Sequence, residues 1–527
     1  MPSILPVRVP AEKVTSHRIA GAQRRDNDLM VGKKDKLLLG VDIGTGSTKG
    51  VLTQSDGKIL GISEQPHDLS LPHPGWAEHD AETLWWHDVK IILDKLLPLV
   101  GDNELAGLSV SGIGPCIVPC DRNAKPLRPA ILYGIDTRSM AEVEELTERL
   151  GEEEIVARCG NPMNAQSIGG RLLWLRRHEP SVYTRTSYWF MASSYIAHKL
   201  TGEYVLDHTS ASYSEPLYDV HRGEWIPEWC DLIAPGLDMP KLLWPGEIAG
   251  YVSAEGAAIS GLPEGLPVAT GTMDSVADSM SVGVRNPGDA VVIYGSTMSI
   301  FMATDKPLSS PYLWSNAHLF EGTYNLASGM ATSGSLTKWL RDLIGDTSFA
   351  ELSTEASAVG PGANGLLILP YFAGERTPLL DPNARGTICG LTLSHGRGHL
   401  YRALMEATAF GARHVLDAMR EAGASTTQSF AVGGGTTGGL WPQIISDVTG
   451  LTQHITEQSV GACYGDAMLA GVASGVIDRD TNWLNVVGTV EPNPHNTVLY
   501  DDLYAMYRSM HTQTVDIQHQ LAALQAK

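Results

Sequence analysis

The stretch LLLGVDIGTGSTKGVLTQSDGKILG, residues 37–61, contains three apolar segments separated by two polar turns. The first turn is rich in Gly, Thr and Ser and follows Asp42 closely. The second turn, SDGK, contains an Asp-Gly pair, which is a strong hairpin signal. We therefore expect three consecutive strands, near residues 36–41, 49–54 and 59–63. The Gly-rich turn at the end of the first strand is the first candidate for a ligand-binding element.

The same order of segments recurs about 250 residues further on, in DAVVIYGSTMSIFMATDKP, residues 289–307. An apolar run again meets a small-residue turn, at Gly295, Ser296 and Thr297, and then resumes. The Asn-Pro-Gly cluster at 286–288 is typical of a linker. Helix and strand signals alternate through the rest of the chain, which indicates an α/β protein. We therefore predict two domains of related build, residues 37–285 and 286–527.

Length and composition agree with an ordinary globular protein of two domains. The chain has 527 residues, 43% hydrophobic residues and a net charge of −21. It exceeds the roughly 300 residues at which one core stops growing. Its acidic balance argues against binding to nucleic acid or to an anionic membrane, both of which require basic faces. No apolar run approaches the roughly 18 residues of a membrane span.

Two further compositional features concern the cysteines and the N-terminus. Six cysteines are too sparse for a disulfide scaffold and fit a reducing cytoplasm. Residues 1–36 show neither helical nor strand periodicity and no signal-peptide apolar core. We expect them to form a disordered N-terminal extension, with a targeting or partner-binding arm as the alternative.

Small-residue turns between strands present backbone N–H groups and hydroxyls that can hold phosphate oxygens. Two such turns across a cleft would form a clamp for a polyphosphate. Asp42, just before the first turn, is placed to bind Mg²⁺ directly or through water, because this ion prefers carboxylate and water oxygens beside phosphate. A single turn of this kind is equally compatible with an ordinary tight hairpin, and its repetition favours the phosphate interpretation.

A third glycine turn, AVGGGTTGG, lies at residues 431–439 between a predicted strand and a predicted helix. Gly433, Gly435 and Gly438 have GxGxxG spacing, and Glu457 follows about twenty residues later, which resembles a dinucleotide-binding fingerprint. That alternative leaves the turn after Asp42 unexplained. A turn on which an adenine and its ribose lie against the backbone accounts for the same glycines. The P-loop pattern GxxxxGK[ST] is absent from the sequence.

Several motifs taken together resemble the FGGY carbohydrate kinase family, over residues 37 to 510 and in the family's order. They are VDIGTGSTKGVL, PHPGWAEHDAETLWW, RPAILYGIDTRS, ATGTMDSVADSMSVGV, VVIYGSTMSI, YFAGERTPLLDPNARGTICGL, HLYRALMEATAFGARHVLDAM and AVGGGTTGG. The resemblance implies two ribonuclease-H-like domains of the actin and sugar-kinase type, with ATP and sugar in the cleft between them. It also implies Mg²⁺ as cofactor, and we expect a cytoplasmic homodimer.

The resemblance assigns roles to particular positions of this sequence. It implies that Asp42 lies near Mg²⁺ and that Asp274 is the catalytic base. The residues that it implies for the nucleotide are Gly44, Thr45, Gly46, Ser47, Gly295, Ser296, Thr297, Gly334, Gly434, Gly435 and Thr436. Our candidates for the sugar are Trp76, Glu78, Asp80, Tyr133, Asp136 and Arg138, each of which is as compatible with a packing role.

The local sequence supports a catalytic role for Asp274 independently. Phosphoryl transfer requires a hydroxyl aligned with the γ-phosphate, neutralised charge and one carboxylate to accept the hydroxyl proton. Asp274 follows the strand-like segment PVATGT and precedes a helix of small residues, so its side chain is expected at a strand end facing the cleft. Asp278, four residues later, is the competing candidate, and we interpret it as a structural polar residue.

Within the family the second half of the chain is most similar to the xylulose kinases, but the sugar-contacting positions differ. Where those enzymes carry a Met-His-Gly segment, this chain has SGIGPC at residues 111–116. It has YGID before Arg138 without the usual Trp, and Ser275 in place of Asn after the base. The Arg-Glu-Thr motif of glycerol kinases is absent from the sequence. We therefore expect a ketopentose or related polyol as substrate, with an actin-like ATPase and a dinucleotide oxidoreductase as the alternative classes.

Overall fold

The computed structural model describes residues 34–134, 136–345, 347–457 and 460–525. The chain from Asp35 onward forms one compact unit. The predicted disordered extension falls largely on residues 1–33, which lie outside the described residues.

Within the described residues, the first half of the chain contains a seven-stranded mixed sheet and four separate two-stranded sheets. Its strands are β1 Lys36–Ile43, β2 Ser47–Gln54, β3 Ile59–Pro66, β4 Glu78–His79, β5 Glu104–Gly112, β6 Val118–Cys120, β7 Ala130–Ile131, β8 Tyr188–Phe190, β9 Val205–Asp207, β10 Tyr218–Asp219, β11 Glu224–Trp225, β12 Lys241–Leu243, β13 Ile248–Tyr251, β14 Pro267–Ala269 and β15 Thr272–Met273. Its helices are α1 His87–Leu96, α2 Met140–Leu150, α3 Glu152–Cys159, α4 Ile168–His178, α5 Pro180–Arg185, α6 Ala192–Thr201, α7 His208–Ser212, α8 Pro227–Ile233, α9 Ala254–Ser260 and α10 Asp274–Ser281.

The second half of the chain contains another seven-stranded mixed sheet and, within the described residues, one separate two-stranded sheet. Its strands are β16 Asp289–Tyr294, β17 Met298–Thr304, β18 Trp314–Ala317, β19 Tyr324–Met330, β20 Leu367–Leu369, β21 Thr387–Cys389, β22 Gln428–Val432, β23 Gln453–Thr456 and β24 Val486–Val490. Its helices are α11 Gly334–Ile344, α12 Phe349–Val359, α13 Arg397–Glu421, α14 Leu440–Thr449, α15 Ala462–Ala473 and α16 Thr497–Gln525.

Apart from the extra edge strand β18 in the second, the two main sheets share one strand order, which confirms the internal repeat expected from the sequence. The first sheet runs β13-β14-β5-β1-β2-β3, with β15 also paired to β5, and the second runs β18-β19-β17-β16-β22-β23-β24. In both copies the opening strand is antiparallel to the next strand and parallel to a strand that follows much later. The three predicted opening strands are confirmed. The backbone turns back at Ser55–Lys58, where the Gln54 amide donates to the Lys58 carbonyl and the Gly57 amide donates to the Gln54 carbonyl. This is the predicted fold of two ribonuclease-H-like domains.

The two faces of β1 pack against different parts of the chain. Leu37, Leu39, Val41 and Ile43 belong to the large apolar core of the first half. Leu38 belongs to a smaller cluster that includes Cys463 and Ala467 of α15, because alternate residues of a strand face opposite sides of the sheet. A helix from the second half of the sequence therefore covers one face of the first sheet, beside Asp42.

Candidate active site

The first turn, residues 44–47, is held by a backbone bond and by side chains. The amide of Gly44 donates to the carbonyl of Ser47 at 2.9 Å. The ring of His67 lies between Gly44 and Asp88, with Nε2 3.1 Å from the Gly44 carbonyl oxygen and Nδ1 2.8 Å from Asp88 Oδ2. Ser47 donates its hydroxyl to Glu64 Oε1 at 2.8 Å. Thr45 and Gly46, at the tip, are exposed, so their amides are open to a ligand, while the Gly46 carbonyl accepts a 3.0 Å hydrogen bond from the His67 amide.

The second turn, residues 295–297, is held by backbone hydrogen bonds. The amide of Gly334 donates to the Gly295 carbonyl at 3.0 Å, and the amides of Ser333 and Ser335 donate to the Ser296 carbonyl. A Cβ atom added to Gly334 would lie 2.6 Å from the Gly295 oxygen, so a residue without a side chain is required there. The start of α11 thus lies directly against the second turn.

The third glycine turn joins the same group. A Cβ atom at Gly433 would lie 2.6 Å from the Tyr294 carbonyl oxygen, and one at Gly435 would lie 2.8 Å from Tyr294 Cβ. Gly434 and Thr436 form a short 3₁₀ turn after Gly433. The structure therefore brings together residues 295–297, Gly334 and residues 434–436, which the sequence resemblance assigned to the nucleotide.

The carboxyl ends of three parallel strands meet on the other side of the site. In register, Asp42 of β1 lies beside Ser111 of β5, and Ser111 lies beside Thr272 of β15. Asp274 follows β15 directly and is the first residue of α10, and its Oδ1 accepts a 2.7 Å hydrogen bond from the Ser275 amide. Open α/β sheets bind ligands at this kind of edge. The predicted position of Asp274 at a strand end is confirmed.

The carboxylates of this edge interact electrostatically. Burial, followed by the nearby Asp42 charge, raises the pKa of Asp274 above its ordinary value. Burial also raises the pKa of Asp42, reinforced by the Asp278 charge and opposed by the Ser111 hydroxyl and by Lys49. Asp278 lies one turn further along α10, where Ser281 donates to its Oδ1 at 3.2 Å. The cluster favours protons or a cation, because its negative charges are close together.

A metal at this edge would rely on few protein ligands. Within the described residues, no group of three or more His, Cys, Asp or Glu side chains is arranged to hold an ion. Mg²⁺ bound to nucleotide phosphates commonly takes one or two carboxylates and keeps several waters. Asp42 accepts a 3.3 Å hydrogen bond from the Ser111 hydroxyl, and burial raises its pKa. An oxygen ligand of this kind fits Mg²⁺.

Four of the sugar candidates contact one another in a compact cluster. Arg138 donates to Glu78 Oε1 at 2.8 Å and to Asp136 Oδ2 at 2.6 Å, and its guanidinium lies 3.8 Å from the centre of the Trp76 ring. The side chains of Arg138 and Asp136 are each 1% exposed. Much of their hydrogen-bonding capacity is thus used within the cluster, and their direct contact with a sugar stays a prediction. Asp80 acts as the N-cap of the helical segment that starts at Ala81.

Tyr133 is the sugar candidate that contacts the first turn. Its hydroxyl lies 3.3 Å from Thr45 Oγ1. Its pKa is raised by burial and then by the charge of Asp274. The observed contact of Tyr133 is therefore with the predicted phosphate turn.

Residues 111–116, which stand where the xylulose kinases carry Met-His-Gly, are contacted from two sides. Arg171 of α4, fully buried, donates to the Pro115 carbonyl at 2.8 Å. A Cβ atom at Gly114 would lie 2.5 Å from Met273 Sδ, so the residue before the base fills the space that a larger side chain would need. This wall of the site has no polar side chain at residues 113–115.

Sequence reasoning missed three polar residues of the site: His67, Ser111 and Asp466. His67 braces the first turn, and Ser111 lies between Asp42 and Asp466. Asp466 belongs to α15, 355 positions from Ser111 in the chain. No local motif marks these residues, because their partners are brought to them only by sheet pairing and helix packing.

The paired sheets, small-residue turns and carboxylates at strand ends define a phosphotransferase of the two-domain ribonuclease-H-like class. The N-terminal domain model of the FGGY family of carbohydrate kinases matches residues 37–281, and its C-terminal domain model matches residues 290–474. The chain belongs to the FGGY family of carbohydrate kinases, and it is a sugar kinase.

Individual relatives agree with this assignment. The chain is 30% identical to a xylulose kinase of Haemophilus influenzae over 455 residues, 83% of this chain and 91% of that protein. The crystal structure of a xylulose kinase from Rhodospirillum rubrum is 33% identical and has a TM-score of 0.86, covering 92% of this chain and all of that one. A Plasmodium falciparum glycerol kinase with ADP is 20% identical with a TM-score of 0.82 over 90% of this chain and 98% of that one, a likeness of fold.

Proposed function

We propose that this sugar kinase transfers the γ-phosphate of ATP, bound with Mg²⁺, to a hydroxyl of a ketopentose such as xylulose or of a related polyol. The observation that carries the proposal is the position of Asp274, whose carboxylate lies at the meeting edge of three parallel strands beside Asp42. The identity of named relatives as xylulose kinases supports the choice of sugar.

In the proposed reaction, Asp274 accepts the proton of the sugar hydroxyl as the hydroxyl oxygen attacks the γ-phosphorus. The bond from the γ-phosphorus to the bridging oxygen then breaks, and ADP leaves with that oxygen. When bound, Mg²⁺ would supply charge neutralisation at the phosphates. The amides of the first and second turns would hold the phosphate oxygens, and the glycines at 334 and 434–435 would leave room for the nucleoside.

The sugar is proposed to lie between Tyr133 and the wall formed by residues 113–115 and Met273. Trp76, Glu78, Asp136 and Arg138 would then act by holding the Tyr133 loop through their ion-pair cluster. A wall without a polar side chain would leave one side of the sugar to backbone groups. We therefore expect the substrate to form fewer hydrogen bonds with side chains on this side than a sugar that contacts the histidine of the Met-His-Gly segment in the xylulose kinases.

Two features of the whole protein also remain proposals. All six cysteines are free and five of them are buried, which supports work in a reducing cytoplasm. Within the described ranges, no helix combines the length and apolar character needed to cross a membrane. The homodimer is proposed from the family resemblance, and sedimentation of the purified chain would test it.

The test is an ATP-consumption screen over ketopentoses, aldopentoses, tetritols, polyols and hexoses, with the Asp274→Asn variant as a matched blank. We expect the wild type to form ADP only when Mg²⁺ and one ketopentose or polyol are both present. The Asp274→Asn variant should not form ADP under the same conditions. ATP hydrolysis of equal rate with and without every sugar would contradict the proposal and favour an ATPase that uses the same fold.

A further inference from the structure

Asp466 is a fully buried carboxyl group that the proposed reaction does not use. Its side chain lies on α15 and is 0% exposed. Its oxygens are 3.3 Å from Ser109 Oγ and 2.5 Å from Ser111 Oγ, both on β5 of the other half of the chain. Burial of an ionised carboxylate costs several kcal/mol unless it is well compensated. Two serine hydroxyls are weak compensation for a full charge.

Close backbone packing keeps this group away from solvent. A Cβ atom at Gly40 would lie 1.9 Å from the Cys463 carbonyl oxygen, and one at Gly107 would lie 2.8 Å from the Ala470 oxygen. On its other side, a Cβ atom at Gly465 would lie 1.8 Å from the Ala277 oxygen of α10. The backbone of α15 therefore lies directly on the sheet and on the helix that begins with Asp274.

Ser111 connects Asp466 to the active site. The parallel register of β1 and β5 places Ser111 beside Asp42, and Ser111 Oγ lies 3.3 Å from Asp42 Oδ1. Ser109, two residues earlier on the same face, lies beside Gly40 and has no such link to Asp42. The two serines thus share Asp466 as partner but differ in their relation to the candidate metal ligand.

Once Asp42 is taken as ionised, as metal binding requires, the number of protons fixes the direction of these contacts. A serine hydroxyl has one hydrogen and two lone pairs, so Ser111 cannot donate to two carboxylates at once. Both contacts become hydrogen bonds if Asp466 holds a proton and donates it to Ser111, while Ser111 donates its own to Asp42. Burial, opposed by the Ser111 hydroxyl and reinforced by the Asp42 charge, raises the pKa of Asp466 well above its ordinary value. A neutral carboxylic acid also removes the cost of a buried charge.

We propose that Asp466 is a positioning residue, which through Ser111 holds the carboxylate of Asp42 in the orientation that binds the metal–nucleotide complex. This inference rests on the proposed function, since it takes Asp42 as the metal-binding carboxylate. Groups that orient metal ligands are worth about 10- to 100-fold in metal affinity in characterised sites. A helix from the second half of the chain would in this way set the geometry of a ligand in the first.

The test compares four variants of the full chain: Ser111→Ala, Asp466→Ala, Asp466→Asn and Ser109→Ala. The Mg²⁺ dependence of binding of a non-hydrolysable ATP analogue is measured by calorimetry, together with the KM for sugar and the melting temperature. We expect Ser111→Ala and Asp466→Ala to raise the required Mg²⁺ concentration about tenfold, with sugar KM unchanged. Asp466→Asn should behave like the wild type, because its amide N–H replaces the acid proton as the donor to Ser111. Ser109→Ala should also retain the wild-type Mg²⁺ dependence.

The outcomes separate this inference from the proposed function. If Ser111→Ala folds and keeps the wild-type Mg²⁺ dependence, the chain of contacts has no positioning role. If Ser109→Ala is as impaired as Ser111→Ala, Asp466 serves sheet packing instead. If Asp466→Asn is as impaired as Asp466→Ala, the hydrogen-bond direction is wrong and the inference fails. A wild-type protein that binds no nucleotide with Mg²⁺ would overturn the proposed function itself.

Discussion

The first and second turns occupy the same place in two copies of one sheet, yet they are supported by different kinds of contact. Side chains of His67 and Glu64 hold the first turn. Backbone amides of residues 333–335 hold the second. The first turn also follows an acidic residue, Asp42, whereas Tyr294 stands just before the second and donates its hydroxyl to Gln453 at 2.6 Å. The same fold thus carries different residues and different supporting contacts at its two equivalent turns.

This difference suggests that the two halves of the chain have different roles in the proposed reaction. The carboxylates Asp42, Asp274 and Asp278 all lie on the first-half sheet and its helix, where the proposed reaction would handle a proton and a cation. The second half offers glycines and backbone groups, which suit the shape of a nucleotide and carry no charge. Changes at Asp274 should therefore alter turnover, whereas changes at the small-residue turns should alter nucleotide affinity.

The largest expected effect is that of Asp274→Asn. The amide keeps the shape of the side chain but lacks the basic lone pair, so turnover should fall by about 10² to 10⁴-fold while sugar and Mg·ATP affinities change little. Steady-state kinetics and binding measurements on the variant provide the check. A variant with near-normal turnover, or with lost ATP binding as its sole defect, would show that another residue is the base. It would also contradict the proposed division of roles between the two halves of the chain.

The same substitution in each turn tests whether both hold phosphate. Valine at Gly46 meets no protein atom within 4 Å of its Cβ, and valine at Gly295 meets the Thr297 carbonyl at 3.1 Å. Both variants should fold and should bind Mg·ATP at least about tenfold more weakly, a loss of ~1.4 kcal/mol. Gly488→Val, in open space on β24, is the control. If one turn variant binds like the control, that turn is not a phosphate loop.

His67→Ala should loosen the first turn and leave the second unchanged. The variant loses the contacts with Gly44 and Asp88, so the free energy of unfolding should fall by about 1–3 kcal/mol. The KM for Mg·ATP should rise several-fold as the turn becomes less ordered. His87→Ala is the matched control, because His87 also lies near Asp88, at 3.4 Å, but its side chain is 62% exposed. Equal behaviour of the two variants in denaturation and kinetics would show that His67 has no role in the turn.

The smallest expected effect is a shift in pH dependence with Asp278→Asn. The charge of Asp278 contributes to the raised pKa of Asp274. Its removal favours the ionised base, so the pKa of Asp274 falls and activity persists to lower pH. The acid limb of the kcat/KM profile should move down by less than about one pH unit, with turnover at the optimum little changed. A shift to higher pH would contradict the electrostatic account.

Much of the fold was predictable because it depends on local sequence patterns. Apolar runs, an Asp-Gly turn and Gly/Ser/Thr turns predicted the opening strands of both sheets, and the structure confirms them within a few residues. These features depend on neighbours in sequence, which is why a single sequence shows them.

The candidate site was predictable only in part. The positions of Asp42, Asp274 and the two turns follow from strand ends, and the resemblance to a family named the glycines at 334 and 434–435. The mutual contacts of Glu78, Asp136 and Arg138 were not predictable, since nothing in their spacing distinguishes a sugar ligand from a partner in a buried ion pair.

The sequence by itself determined the repeated opening strands, the small-residue turns between them and the strand-end positions of Asp42 and Asp274, because these are set by periodicity and by the backbone preferences of Gly, Ser and Thr. Tertiary structure alone decided that His67 supports the first turn and that Asp466 reaches Ser111 from 355 positions away. The physical reason is that a buried polar group takes its role from the partner that packing brings to it. That packing is a property of the whole folded chain.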